Sequence, residues 1–226
     1  MNDVRIFADR AEAGRELADG LSKMGLKNPV VLALPRGGVP VALEVARALK
    51  APIDLVLVRK IGVPWQPELA AGAVVDGDHP EVVLNDDVIK LTGMSRETID
   101  EQIAQKLKEI EKRRQLYLKD RPRAKIEKHT AIVVDDGIAT GATVRAALKA
   151  LRKRKPKKLV LAVPVAPPDT IEALRSEVDE IICLQMPKCF VAIGLYYSNF
   201  RQVADDEVVA MLAGEEVTIP KLEPTY

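Results

Sequence analysis

The sequence predicts an α/β fold with a central parallel sheet that is flanked by helices. Short, continuous apolar runs alternate along its 226 residues with segments whose apolar residues recur at helical spacing. Strands that are apolar throughout are typical of parallel sheets, because helices cover both faces of such a sheet. Hydrophobic residues make up 47% of the chain, enough for a substantial core. The length suits one large domain, or one domain with an appendage, and we expect residues 1–226 to form a single domain.

Each element of this pattern can be placed in order. Helices are predicted for residues 9–24 and 41–49, where apolar residues recur along one face. Strands are predicted for 30–34 and 55–58, and a loop with proline and glycine follows at 61–67. The remaining predicted elements are strands 70–75, 82–84 and 132–134, helix 144–151, strand 159–163, helix 171–178 and strand 181–184.

A charged segment at about residues 86–125 interrupts this alternation. Ser95 is a favourable helix N-cap, and isoleucine and leucine recur at helical spacing from Ile99 to Ile110. We expect one long inserted helix that lies on the body of the protein or on a second subunit. Its apolar stripe is too short for the several heptads that a coiled coil requires.

The composition argues against several functional classes. The formal net charge of +1 shows no bias towards nucleic acids or acidic membranes, and no apolar stretch is long enough to span a bilayer. The N-terminus lacks the pattern of a secretory signal, and two cysteines do not make a disulfide scaffold. We expect a cytoplasmic protein in which Cys183 and Cys189 are buried as small apolar residues.

A dense basic run covers residues 152–158. It could contact nucleic acid, but the solvated end of a helix is the preferred interpretation, since cations also suit the negative end of the helix dipole. We therefore expect neither a nucleic-acid nor a membrane partner.

The stretch VVDDGIATGAT, residues 133–143, is the strongest functional signal. It places Asp135 and Asp136 at the end of an apolar strand, and ligands of open α/β sheets bind at the carboxyl ends of the strands. Side chains alternate in direction there, so at least one carboxylate faces the crevice. Carboxylates bind vicinal hydroxyls or help to hold Mg2+. Gly137 and Gly141 permit a tight loop whose N–H groups, with the first turn of the next helix, can bind an anion.

This stretch resembles the PRPP-binding signature of the type I phosphoribosyltransferases. The resemblance implies that Asp135 and Asp136 bind the ribose hydroxyls of PRPP and contribute to a Mg2+ site. It also implies that the 5′-phosphate is bound by Ala139, Thr140, Gly141, Ala142 and Thr143. The alternative is a plain glycine turn with a threonine N-cap and solvated acids, but the full combination of strand, acids and loop is more specific than such a turn.

A second stretch, LPRGG at residues 34–38, follows the first strand and resembles the pyrophosphate loop of the same family. The resemblance implies that Pro35, Gly37 and Gly38 contact substrate and that Arg36 has a catalytic role at the pyrophosphate. An ordinary turn between a strand and a helix is the alternative.

A third stretch, VRKIGVPWQPE at residues 58–68, falls where the family has a mobile catalytic loop. The resemblance implies that Arg59 and Lys60 neutralise the leaving group. A solvated basic pair at the end of a strand is the alternative interpretation.

The C-terminal part, at about residues 185–205, resembles the hood of the purine-salvage members of the family. In these members an aromatic residue stacks on the base and a later arginine helps to bind pyrophosphate, which implies these roles for Phe190 and Arg201. Other aromatic residues of the stretch could equally belong to the core, as most aromatic residues do; these are Tyr196, Tyr197 and Phe200.

The resemblance covers roughly residues 7–209 and implies a Rossmann-like sheet and a Mg2+-dependent transferase. Such an enzyme moves the phosphoribosyl group of PRPP to a nucleobase or another small-molecule acceptor and releases pyrophosphate. Ala139 stands where hypoxanthine–guanine-type relatives carry a general-base aspartate, so the acceptor stays open. Glu68, Asp205 or Asp206 could serve as the base instead.

Two further expectations come from the family. A homodimer is common among its members. Some members act as regulators, so a sensor of PRPP or nucleotides, including one that binds RNA, is the alternative to an enzyme.

Overall fold

The computed structural model describes residues 5–77 and 79–214, and it is built around a five-stranded parallel sheet. In chain order the strands are β1 (Pro29–Ala33), β2 (Ile53–Leu55), β3 (Val58–Val63), β4 (Gln66–Val75), β5 (Glu81–Leu84), β6 (Thr130–Val134), β7 (Lys158–Val165) and β8 (Glu180–Gln185). The strand order in the parallel sheet is β2-β1-β6-β7-β8. The predicted α/β fold with a central parallel sheet is confirmed.

Helices connect the strands and cover the sheet on both faces. They are α1 (Arg10–Ser22), α2 (Gly38–Leu49), α3 (Asp86–Thr92), α4 (Arg96–Leu118), α5 (Ala142–Lys153), α6 (Pro168–Leu174) and α7 (Asp205–Ala213). Helix α1 begins after Asp9, whose carboxylate accepts a hydrogen bond from the N–H of Glu12.

Alternate residues of the central strands pack into two separate cores. In β6, Ile132 and Val134 belong to the core formed with α1 and α2, whereas Ala131 and Val133 belong to the core formed with α5 and α6. All four side chains are completely buried. Because β6 is buried on both faces, its sequence is apolar throughout, which is the pattern that predicts a strand here.

Strands β3, β4 and β5 form a second, antiparallel sheet. The prediction of a loop over residues 61–67 is therefore wrong, because β3 and β4 pair as a hairpin with only Pro64 and Trp65 between them. Ile61 and Val63 are completely buried in the core shared with α1 and α2. Their burial stabilises the extended conformation despite the nearby proline and glycine residues.

The inserted segment contains two helices rather than one. Helix α4 begins after Ser95, whose hydroxyl accepts a hydrogen bond from the N–H of Thr98, as the N-cap prediction requires. The shorter α3 was not expected; Asn85 caps its first turn, and Gly93 ends it in the left-handed conformation. Helix α4 contacts β3 and α7, so it lies on the body of the protein.

Buried ion pairs attach α4 to the two sheets. Arg114 pairs with Asp54 of β2 at 3.5 Å and with Asp76, just after β4, at 3.2 Å. All three side chains are buried. Asp76 also pairs with Arg123 and accepts a hydrogen bond from the N–H of Leu57 at 2.9 Å. These contacts connect the insertion to both sheets at one point.

The basic run at residues 152–158 lies at the end of α5 and is paired with acids. Arg152 pairs with Asp179 at 2.9 Å, and Lys153 pairs with Glu81 at 2.6 Å. These pairs support the interpretation of the run as the solvated end of a helix.

The two cysteines are more accessible to solvent than the sequence predicts. Cys183 is half-buried and Cys189 is exposed, so the prediction that both are buried is wrong. Cys189 lies after β8, in the hood at about residues 185–205. Among the residues that the structure describes, no helix has the length and apolar character that crossing a bilayer requires.

Candidate functional site

The predicted binding stretches meet at one edge of the central sheet. β1 and β6 are neighbours, with Ala33 paired to Val134 at their carboxyl ends. The chain leaves β1 through the turn at residues 34–38 and leaves β6 through Asp135 and Asp136, which we call the acid pair. Because parallel strands end at the same edge of a sheet, the turn and the acid pair lie side by side.

Glycine residues allow the turn to touch the acid pair. A Cβ atom at Gly37 would lie only 2.0 Å from Oδ2 of Asp136. A Cβ atom at Gly38 would lie 2.7 Å from the backbone oxygen of Val134 and 3.2 Å from Oδ1 of Asp135. Both positions therefore require glycine, because a side chain would displace the acids or the strand end.

The two carboxylates of the acid pair have different surroundings. Asp136 is buried, and its Oδ2 accepts a hydrogen bond from Nε of Arg10 at 2.8 Å. Oδ1 of Asp135 accepts the N–H of Asp136 at 2.9 Å. Burial and the neighbouring carboxylate of Asp136 raise the pKa of Asp135 well above its ordinary value. Burial also raises the pKa of Asp136, although Arg10 acts in the opposite direction. A ligand that donates hydrogen bonds here would stabilise the charged forms.

Arg10 is a site residue that the sequence does not reveal. Its Nη1 donates to the backbone oxygen of Arg201 at 2.9 Å, and its guanidinium lies 4.0 Å from the ring centroid of Phe200. The hydroxyl of Tyr197 donates to the backbone oxygen of Asp136 at 2.6 Å. Contacts from α1 and from the hood thus hold Asp136 of the acid pair in place. No local motif marks Arg10, because its carboxylate partner lies 126 positions away in the chain.

The loop at residues 139–143 enters α5 with the geometry of an anion site. Gly141 occupies the N-cap position with a φ of 75°, and no side chain from the described residues caps this helix. The first N–H groups of α5 therefore lack a capping acceptor, and the helix dipole adds partial positive charge. Thr140 is exposed and Thr143 is half-buried at the same end. The arrangement can accept a phosphate group.

The acid pair can supply part of a Mg2+ site. Within residues 5–77 and 79–214, no group of three or more His, Cys, Asp or Glu side chains could hold a metal ion. Asp135 and Asp136 thus offer two carboxylates, one of which already pairs with Arg10. Mg2+ commonly binds one or two carboxylates together with substrate phosphates and waters. The residues therefore fit a Mg2+ ion that shares its coordination with a phosphorylated substrate.

Comparison with known proteins assigns the chain to a family. The family model of the phosphoribosyl transferase domain matches residues 5–200. The chain belongs to this family. The resemblance that was based on the motifs is thereby confirmed.

Relatives support the assignment of this phosphoribosyl transferase domain. "Putative phosphoribosyl transferase MT0597" and "Putative phosphoribosyl transferase Rv0571c", from two strains of Mycobacterium tuberculosis, are each 46% identical to the chain over 209 residues. These matches cover 92% of this chain and 47% of each relative, so the chain spans about half the length of the curated relatives. The solved structure of TT1426 from Thermus thermophilus is 40% identical, with a TM-score of 0.78, and the match covers 92% of this chain and 98% of that one.

In this phosphoribosyl transferase domain, Arg36 contacts groups that lie outside the central sheet. The peptide bond between Pro35 and Arg36 is cis. Nη1 of Arg36 lies 3.4 Å from Oδ1 of Asp205 in α7, and the hydroxyl of Tyr117 in α4 donates to the same oxygen at 2.5 Å. The inserted helix is therefore linked to the turn that resembles the pyrophosphate loop.

The structure places Arg59 and Lys60 on opposite faces of β3 and does not bring them together. Arg59 faces α4, where its Nε lies 3.8 Å from Oε2 of Glu109. Lys60 instead lines a cavity of about 700 Å³ that also includes Thr140. Neighbouring side chains of a strand point in opposite directions, so a basic pair in a strand cannot act as one unit.

The hood residues are engaged with one another. Phe190 stacks on Tyr196, with ring centroids 5.6 Å apart and an interplanar angle of 17°. Tyr196 and Tyr197 are buried, which confirms their interpretation as core residues. Arg201 forms a bidentate pair with Glu207, and this contact raises the pKa of Arg201. A pyrophosphate bound by Arg201 would compete with Glu207.

The three candidate general bases differ in their surroundings. The hydrogen bond from Tyr117 lowers the pKa of Asp205, which makes this carboxylate a poor proton acceptor. Asp206 is exposed. The side chain of Glu68 lies outside the part of the chain that the structure describes.

Proposed function

We propose that the protein transfers the 5-phosphoribosyl group of PRPP to a small-molecule acceptor and releases pyrophosphate. The observation that supports this most is the contact between the 34–38 turn and the acid pair, beside the uncapped first turn of α5. This contact juxtaposes groups suited to a pyrophosphate, a ribose and a 5′-phosphate at one edge of the sheet. PRPP carries these three groups in that order.

Each part of the site has a distinct task in this reaction. The carboxylates of Asp135 and Asp136 accept hydrogen bonds from the 2′- and 3′-hydroxyls of the ribose. The N–H groups of the 139–143 loop bind the 5′-phosphate, while Arg36 and the backbone of Gly37 and Gly38 bind the pyrophosphate. Mg2+, when bound, neutralises charge on the departing pyrophosphate. The protein contributes orientation and electrostatic stabilisation rather than a covalent nucleophile.

The acceptor is proposed to be a nucleobase or a related small molecule that binds under the hood. Ala139 cannot accept a proton, and the lowered pKa of Asp205 makes it unsuited to this task as well. An acceptor that reacts without deprotonation by an aspartate of the loop therefore fits this site better than one that requires such a base.

Calorimetric titration with PRPP in the presence of Mg2+ tests the proposal. We expect saturable binding, and we expect Asp135→Asn/Asp136→Asn to weaken it about a hundred-fold, because two charge-assisted contacts to the ribose are lost. The matched control is Asp19→Asn/Asp120→Asn, which removes two exposed carboxylates away from the site. A screen of nucleobases for pyrophosphate release then follows. Equal PRPP affinity in both double variants would refute the ribose assignment.

A second candidate is a protein that binds PRPP or a nucleotide without turnover. The ion pairs of Arg36 with Asp205 and of Arg201 with Glu207 favour it, since they occupy two cations that a transferase would direct to the leaving group. PRPP binding without pyrophosphate release, for any nucleobase tested, would favour this sensor over the transferase.

A further inference from the structure

A pocket of about 330 Å³ lies between β3, α4 and α7 and is separate from the acid pair. Small-molecule sites in proteins occupy about 300–1,000 Å³, so this pocket is large enough for a small ligand. Helix α4 belongs to the insertion, which lies outside the elements that the motifs of the family occupy. The residues that line the pocket are Arg59, Glu109, Lys112, Arg113, Leu116 and Asp205.

The cations of this pocket are loosely partnered. Arg59 and Arg113 each approach an acid only at 3.8 Å, to Glu109 and Asp205 respectively. Both acids make closer contacts elsewhere: Glu109 pairs with Lys106 at 2.9 Å, and Asp205 accepts the hydroxyl of Tyr117. Lys112 makes no hydrogen bond or ion pair with any residue that the structure describes. Nη1 of Arg59 also donates to the backbone oxygen of Val58 at 2.8 Å, and the guanidinium of Arg113 lies 5.9 Å from the ring centroid of Tyr117. The other N–H donors of the two guanidinium groups and the ammonium of Lys112 are available to a ligand.

The charge of the pocket is positive and partly shielded from water. Three cations line it against two carboxylates, and Arg36 adds a fourth cation at the far side of Asp205. The side chains of Arg59 and Arg113 are only 24% and 35% exposed. Burial, followed by the charge of Arg113, lowers the pKa of Arg59. Like charges held this close in a half-buried pocket repel one another, and an anion between them would relieve the repulsion.

We propose that this pocket is a binding site for a small phosphate-bearing anion, with Arg59, Lys112 and Arg113 as its ligands. Planar guanidinium groups suit phosphate oxygens because they donate two parallel hydrogen bonds. Asp205 connects the pocket to Arg36, so an anion here would draw Arg113 away from Asp205 and tighten the contact between Asp205 and Arg36. The inference goes beyond the proposed transfer reaction and does not depend on it.

Calorimetric titration with inorganic pyrophosphate, and separately with inorganic phosphate, tests the site. We expect Lys112→Gln/Arg113→Gln to weaken pyrophosphate binding about ten-fold or more, since charge-assisted hydrogen bonds are lost. Arg59→Gln, on a different element, is expected to act in the same direction. The matched control is Arg96→Gln/Lys108→Gln, which removes two exposed cations of α4 outside the pocket and should leave the affinity within about two-fold. Circular dichroism and thermal melting check that each variant is folded.

The outcomes separate this site from the proposed function. Because the turn at residues 34–38 is also proposed to bind pyrophosphate, the pocket is identified by the part of the binding that Lys112→Gln/Arg113→Gln removes. Asp135→Asn/Asp136→Asn should retain this part, although it should lose PRPP. Unchanged pyrophosphate affinity in Lys112→Gln/Arg113→Gln would overturn the pocket. It would also be overturned if adding Lys112→Gln/Arg113→Gln to the acid-pair variant had no further effect on pyrophosphate binding. A protein that binds pyrophosphate through the pocket but never binds PRPP would retain this inference and reject the transferase. Tighter binding of pyrophosphate than of phosphate would identify a diphosphate as the preferred ligand.

Discussion

Asp135, which is proposed to bind the ribose, is expected to reduce the stability of the folded protein. Its carboxylate is packed against Gly38 and beside a second carboxylate, and these surroundings raise its pKa. A carboxyl group whose pKa is raised by folding destabilises the folded state once the pH exceeds its unfolded value. The cost is absent at a pH low enough to protonate both states. This destabilisation grows as the pH rises from the unfolded pKa to the raised pKa of the folded state, and it is constant at higher pH.

The substitution Asp135→Asn is therefore expected to stabilise the protein while it impairs PRPP binding. Asparagine keeps the oxygen that accepts the N–H of Asp136 but carries no charge. At neutral pH we expect the Tm to increase by about 2–4 °C, which corresponds to about 1 kcal/mol in a chain of this size. The increase should vanish near pH 4, close to the unfolded pKa of about 3.9. Thermal melts across this pH range measure both effects, and an equal or lower Tm at neutral pH would contradict the explanation.

Gly37 is expected to tolerate no side chain. In Gly37→Ala the new Cβ would lie 2.0 Å from Oδ2 of Asp136, so the acid, and with it Arg10, must move. We expect PRPP affinity to fall about ten-fold or more, because the displaced carboxylate would lose its proposed contact with the ribose. Gly20→Ala in α1 is the control: its Cβ would meet Ile182 at an ordinary 3.7 Å, and the change should stabilise the helix by about 0.5–1 kcal/mol. Unchanged PRPP affinity in Gly37→Ala would mean that the turn and the acid pair separate when substrate binds.

Some site residues could be predicted from the sequence and others could not, for a physical reason. The acid pair and the 139–143 loop are local: a strand, two acids and a glycine turn specify them within one short stretch. Arg10 and Tyr197 reach Asp136 only because α1 and the hood fold against the sheet edge. Such contacts depend on tertiary packing, which periodicity and spacing do not encode.

At the scale of elements, the parallel strands could be predicted because both of their faces are buried. The hairpin β3–β4 could not, because its Ile61 and Val63 lie among glycine and proline residues that indicate a loop. Pairing with β4 and burial against the core outweigh that local preference. The same pairing separates Arg59 from Lys60, which the sequence presents as neighbours. Helix α3 was missed because seven residues carry too short a pattern to detect.

Arg114, a buried cation of α4, attaches the insertion to the rest of the molecule, and its removal should destabilise the folded protein. Arg114→Met removes the partner of Asp54 and weakens the pairing of Asp76, leaving buried carboxylates insufficiently compensated. We expect the free energy of unfolding to fall by about 3–5 kcal/mol, measured by urea denaturation. Arg96→Met, which breaks an exposed pair with Asp100 on the same helix, should cost no more than about 0.5 kcal/mol. A loss below about 1 kcal/mol in Arg114→Met would show that water compensates the acids, contrary to their burial.

At the scale of the whole molecule, the candidate site is assembled from segments distributed along nearly the entire chain. Arg10 comes from the first helix, Gly37 from the turn after β1, Asp136 from the end of β6 and Tyr197 from the hood. The hood in turn pairs with the N-terminal segment, where the N–H of Phe7 donates to the backbone oxygen of Tyr196 at 2.9 Å. A ligand at the acid pair therefore contacts a region that forms only when all of these segments are folded.

PRPP is consequently expected to stabilise the protein against global unfolding, not only to order a loop. A ligand that binds the folded state alone, at a concentration of about 100 times its Kd, adds about 2.7 kcal/mol to the free energy of unfolding. For a chain of this size the Tm should rise by about 5–10 °C with PRPP and Mg2+. Asp135→Asn should show a clearly smaller increase, even though its Tm without ligand is expected to be higher than that of the natural protein. The substitution at Asp135 is thus expected to raise the Tm without ligand and to reduce the increase caused by PRPP, a combination that a general loss of folding cannot produce. An equal increase in Tm in the variant would place PRPP elsewhere, and the cationic pocket at α4 would then be the first alternative to examine, through Lys112→Gln/Arg113→Gln.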